Sequence, residues 1–94
     1  MRRLVWSTSF ERAFKLIARQ HPQLTSKARE TLKQLSDDPF HPTLRTHKLK
    51  GKLAGSWACS VAYDMRIVFD FARNPDSGED EILLLTVGTH EEVY

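Results

Sequence analysis

Two histidines stand where an imidazole could act on a substrate. His47 opens the stretch His47-Lys48-Leu49-Lys50-Gly51, and His90 follows the apolar run 81–87 and Gly88, with Tyr94 four residues further on. Histidine is the side chain whose ordinary pKa lets it give or take a proton near neutrality, and each such transfer typically contributes about 10²–10⁴-fold to a reaction. Around His47 lie Arg45, Lys48, Lys50 and Lys52, and there is no acid between Pro39 and Tyr63. After Arg73 the balance reverses: Asp76, Glu79, Asp80, Glu81, Glu91 and Glu92 follow, with no base. A basic patch in a chain of net charge only +2 suggests a localised anionic partner. A solvated basic loop would leave the same pattern. Arg66 on an alternating stretch and Asp64 just before it complete a set able to move protons beside an anion.

Each of these residues also has a plain structural reading. His90 and Tyr94 could form a capped stub after a strand that Gly88 ends. Arg66 could pair with Asp70 or Asp64 on the surface, and Asp64 could simply suit a tight turn. His21 and His41, each followed by proline, read as loop punctuation, and Trp57 reads as core.

The elements that must position the set can be read from periodicity. Residues 3–7, RLVWS, form a short strand rich in β-formers, and Ser7, Thr8 or Ser9 can cap a helix. Phe10, Ala13, Phe14 and Ile17 repeat at helical spacing until His21-Pro22 ends the pattern. A second helix is expected from about Thr25 or Ser26, with Ala28, Thr31, Leu32 and Leu35 inward, and the stretch 36–39 stops it. The period then changes to two. Trp57, Cys59, Val61 and Tyr63 alternate with small residues, and Met65, Ile67, Phe69 and Phe71 alternate with Arg66, Val68 and Asp70. A tight turn at Tyr63-Asp64 joins these strands. The run 74–78, NPDSG, is a further turn signal before the last strand. The expectation is one α+β domain over residues 1–94, ordered βααβββ, with a helical hairpin covering one face of an antiparallel sheet. The opposite face should carry Lys48, Lys50 and Arg66. The lysines alternate with Leu49 and Leu53, which aims them to one side.

Composition narrows the class. Apolar residues make up 40% and charged residues 28%, as in ordinary soluble domains. No apolar run approaches the roughly 20 residues that span a bilayer, and the first residues lack the apolar core of a secretory signal. The single cysteine, Cys59, forms no disulfide framework and fits a reducing cytoplasm. Cysteine and histidine show no zinc spacing, so neither metal nor cofactor is expected.

In order and spacing, His47-Lys48-Leu49-Lys50-Gly51, then Cys59 and Asp64, then Gly88-Thr89-His90 with terminal Tyr94, resemble the RelE/ParE toxin superfamily, and most closely its YafQ-like branch. The resemblance covers the whole chain in outline and is specific over residues 47–94. It implies a RelE-like fold and the toxin of a bacterial type II toxin–antitoxin pair, acting in the cytoplasm as a ribosome-dependent, metal-independent mRNA endonuclease. Such cleavage uses the neighbouring 2′-hydroxyl as nucleophile. By resemblance His90 is the proton donor, His47 the better base candidate, Arg66 a phosphate clamp and Asp64 a further member of the catalytic set. Arg45, Lys48, Lys50 and Lys52 would contact RNA phosphates, and Tyr94 would orient a nucleotide. The implied partners are a cognate antitoxin, able to form hetero-oligomers with the toxin, together with ribosomal RNA and mRNA. Two positions depart from the pattern: Ser60 stands where a histidine follows the cysteine, and Thr86 stands where the last strand has an arginine. A ParE-like gyrase inhibitor without a ribonuclease centre, or an inactivated relic, is the alternative.

Overall fold

A computed structural model describes residues 1–51, 54–62 and 64–89. Strand β1 (Arg3–Trp6) leads into helix α1 (Thr8–Gln20) and helix α2 (Pro22–Asp37). A 3₁₀ turn (Pro42–Leu44) and strands β2 (His47–Lys48), β3 (Trp57–Ala62), β4 (Met65–Arg73) and β5 (Asp80–Thr89) follow. The sheet order is β1-β5-β4-β3-β2. The α+β class and the order βααβββ are as expected, with two additions. The two-residue β2 pairs antiparallel with β3, and β1 runs parallel to β5, so the sheet is mixed.

Ser7 explains where α1 begins. Its Oγ accepts from the Phe10 N–H at 3.0 Å, satisfying one of the helix's orphan donors. The same hydroxyl donates to the Leu85 carbonyl at 3.3 Å, and the Ser7 N–H donates to the Leu84 carbonyl, so the cap also ties the helix to β5. The second helix starts at Pro22, earlier than Thr25. His21 leaves the helical region (φ −136°) and serves as the last cap of α1 and the first of α2. Proline is well placed at a first helical position, where its missing N–H costs no bond.

Both helices present the expected faces. Phe10, Phe14 and Ile17 of α1 and Ala28, Leu32 and Leu35 of α2 bury against Cys59, Val61, Met65, Ile67 and Phe69. Strand β5 adds Ile82, Leu84 and Val87 to this core. The change of parity between Leu84 and Val87 comes from a bulge: Phe69 pairs with Leu84, but Val68 pairs with Thr86, leaving Leu85 as the extra residue. Leu85 instead packs with Leu49, Ala58 and Val68 in a small second cluster on the face away from the helices.

The last strand is longer than the sequence suggested. Gly88 does not end it: Gly88 is buried, lies opposite Arg66, and is followed by Thr89 opposite Met65. An extended glycine needs no special backbone, and cross-strand pairing with β4 carries the strand through it. Among the described residues no helix is long and apolar enough to cross a membrane.

Candidate functional site

Strand parity decides which side chains can meet. Residues directly opposite each other share a face, as do residues two apart on one strand. His47 lies opposite Ala58, and Ala58 opposite Val68; two positions along, Ser60 lies opposite Arg66, and Arg66 opposite Gly88. Cys59 and Ile67, between these rows, face the helices. His47, Ser60 and Arg66 therefore belong to the open face.

The lysines divide differently. Lys48 lies opposite Trp57, whose ring packs on Phe71 and Phe40 at the rim of the helix-covered side. Lys48 and Arg66 thus project from opposite faces, and the expected single basic face fails at Lys48. The cause is Leu49, only 8% exposed, which takes the open face with Ala58 and Val68 and so turns its neighbour away. Lys50 is exposed just beyond the end of β2. Lys52, Tyr63, His90 and Tyr94 lie outside the described residues.

Arg45 holds His47 in place. It closes the 3₁₀ turn in the left-handed region (φ 52°, ψ 40°), a conformation an L side chain adopts only against strain. From there its carbonyl accepts from the Nδ1 of His47 at 3.0 Å. A carbonyl can only accept, so in the neutral ring the proton sits on Nδ1 and Nε2 is the basic nitrogen. Thr46 anchors the same segment through its hydroxyl, which donates to the Pro39 carbonyl.

Arg66 starts on the open face but bends toward the β3–β4 turn. Its Nη1 donates to the carbonyls of Ala62 (3.4 Å) and Met65 (3.3 Å). There it lines a cleft of about 640 Å³ with Arg45 and Asp64, two residues expected at the site, and with Lys27, Thr43 and Ser60. Among the described residues three cations stand against a single carboxylate, which makes this cleft attractive to an anion. Lys27 and Thr43 had no signal in the sequence, because Lys27 is merely an exposed position of α2 until folding sets it beside β3. Ser60 was visible only as a departure from the family pattern. Among the described residues no cluster of His, Cys, Asp and Glu could hold a metal ion.

Cys59, close in sequence to these groups, has no place in the chemistry. It is fully buried, and burial pushes its thiol up to about 12, against smaller lowering effects from the Ile67 backbone hydrogen bond and the Arg66 charge. A thiol so held is neither nucleophile nor metal ligand at neutral pH.

Residues 2–94 match the family described as the bacterial toxin of type II toxin–antitoxin system, YafQ. Among solved structures, YafQ from E. coli superposes with a TM-score of 0.79 at 17% identity, covering 100% of this chain and 99% of that one. A copper-bound mutant toxin from Helicobacter pylori gives 0.73 at 28% identity, covering all of both chains. The E. coli DinJ–YafQ complex gives 0.77 at 17% identity, covering 100% and 99%. No curated protein matches the chain by sequence.

Proposed function

This chain belongs to the YafQ family of bacterial type II toxin–antitoxin toxins, and from that premise we propose that it is a ribosome-dependent, metal-independent mRNA endonuclease. The observation that supports this reading is that His47, its tautomer selected by the Arg45 carbonyl, stands on the face of the sheet from which Arg66 also springs, beside the cationic cleft that Arg45 and Arg66 line. A gyrase inhibitor has no need of a positioned imidazole.

In the proposed reaction the Nε2 of His47 removes the proton of a ribose 2′-hydroxyl, and the oxygen attacks the adjoining phosphorus. The bond from phosphorus to the 5′-oxygen of the next nucleotide breaks, leaving a 2′,3′-cyclic phosphate. His90 donates the proton that the departing oxygen takes up, and Tyr94 holds the nucleotide in line. Arg66, with Arg45, faces the charge that grows on the phosphorane; such preorganised charge is commonly the largest single contribution. Asp64, at the rim of the same cleft, can accept from a ribose hydroxyl. Lys48, Lys50 and Lys52 serve as phosphate contacts along ribosomal RNA. The solved DinJ–YafQ pair supports a cognate antitoxin for this toxin as well.

The test is a translating extract with end-labelled mRNA. Wild-type protein should cut the message on ribosomes, and His90→Gln or His47→Gln should lower the cleavage rate by at least about 10²-fold, the range of one lost proton-transfer group. A wild-type protein that leaves mRNA intact while blocking DNA supercoiling by gyrase would overturn the reading in favour of the ParE-like one.

A further inference from the structure

A second, smaller cavity of about 280 Å³ adjoins the cationic cleft and shares Lys27, Thr43, Ser60 and Val61 with it. Together they form a groove between α2 and the edge of β3. The β2–β3 ladder ends at Ala58, and among the described residues no strand lies along the outer edge of Ser60 to Ala62. We infer that this groove binds a further stretch of RNA backbone, with Lys27 as the phosphate contact that α2 contributes. The inference rests on the proposed ribonuclease function and extends the bound strand beyond the scissile bond.

The chemistry is graded along the groove. At the cleft end Arg45 and Arg66 favour phosphate against the single carboxylate of Asp64, and Lys27 stands where the two cavities meet. At the far end Gln34 offers a neutral donor and acceptor, and Glu30 discourages a second phosphate while accepting from hydroxyl or amine groups. Cation first and hydrogen-bonding groups next suits a phosphate followed by its ribose and base. An amphipathic acidic peptide fits less well, because it needs apolar anchors. The apolar side chains here, Val61 and Leu44, are only 5% and 3% exposed, and the exposed Met1, Trp6, Leu16 and Phe40 do not line the groove. Lys27 itself is exposed, and its helix turn is held by the Thr31 hydroxyl, which donates to the Lys27 carbonyl at 2.8 Å.

The test uses wild type, Lys27→Gln and Lys27→Arg, with thermal melting to confirm equal folding. Binding to a short 2′-O-methyl RNA, which cannot be cut, is followed by fluorescence anisotropy across a salt series; co-sedimentation with mRNA-free ribosomes is measured in parallel. Lys27→Gln should weaken binding and flatten the logarithmic salt dependence by about 0.7, one single-strand phosphate contact. Lys27→Arg should restore both. Loss with the oligonucleotide assigns the groove to mRNA, and loss only with ribosomes assigns it to ribosomal RNA. Unchanged binding in both arms overturns the inference. Wild-type cleavage of mRNA on ribosomes is scored separately, so failure of the groove and failure of the catalytic reading are told apart.

Discussion

Replacing Arg66 by glutamine separates fold from function most sharply. Its hydrogen bonds to Ala62 and Met65, two of its contacts among the described residues, are long, 3.4 and 3.3 Å, so their loss belongs at the weak end of the range, about 0.5 kcal/mol each. Loss of these two bonds, near 1 kcal/mol, lowers the melting temperature of a domain this size by roughly 4–8 °C. It leaves the protein folded at 25 °C if total stability is the usual 5–15 kcal/mol or so. Loss of a preorganised charge at the reacting phosphate costs about 10²–10³-fold in rate, equivalent to roughly 2.7–4 kcal/mol. Activity should therefore fall far more than stability. Arg66→Lys should lie between, since it keeps the charge and loses the planar fork. The assay is single-turnover cleavage of labelled mRNA on programmed ribosomes at saturating toxin, beside urea unfolding of the same preparations. Cleavage by Arg66→Gln at the wild-type rate, or a loss no greater than its unfolded fraction, would refute the reasoning.

Arg45→Gly should change stability and binding differently. Relief of left-handed strain, about 1 kcal/mol, offsets the entropy cost of glycine, about 0.5–1 kcal/mol, so the urea midpoint should hold or rise while RNA affinity falls; a clear drop in midpoint would count against it. Ser7→Ala should cost about 1 kcal/mol from the lost cap, read as a lower melting temperature with no change in cleavage at 25 °C. Cys59 makes stability fall on the alkaline side. The folded thiol keeps its proton up to about 12, whereas the unfolded one loses it from about 8.5, so wild type should lose up to roughly 1.4 kcal/mol per pH unit between those values relative to Cys59→Ala. Parallel urea titrations of the two proteins from pH 8 to 10 check this.

Both helices and the β3–β4 pair were legible because their signals are local. Phe10, Phe14 and Ile17, or Cys59 against Ala58, announce a buried face within a few residues. The bulge at Leu85 was not, since three leucines in a row carry no parity of their own. The strand's passage through Gly88 depends on β4 lying alongside, which the run 81–87 does not encode. Alternation counted from the lysines puts Lys48 on the wrong side, because burial of Leu49 with Ala58 and Val68 sets the register. The Lys27 contribution to the cleft is tertiary altogether. No spacing within α2 predicts which exposed position will stand beside Ser60.

The parallel pairing of β1 with β5 has a consequence for how the protein is made. Arg3 bonds in register with Glu81, and β5 is the strand that joins β1 to β4. Chain elongation at about 5–20 residues per second delivers the helical hairpin seconds before its sheet can close. Until β5 emerges, β1 has no neighbour, the Ser7 cap has no Leu85 carbonyl to hold, and Arg66 has no Gly88 across from it. A nascent chain is thus a split protein that its own late strand must join. A chain cut short before residue 80 therefore lacks the strand that joins its two halves.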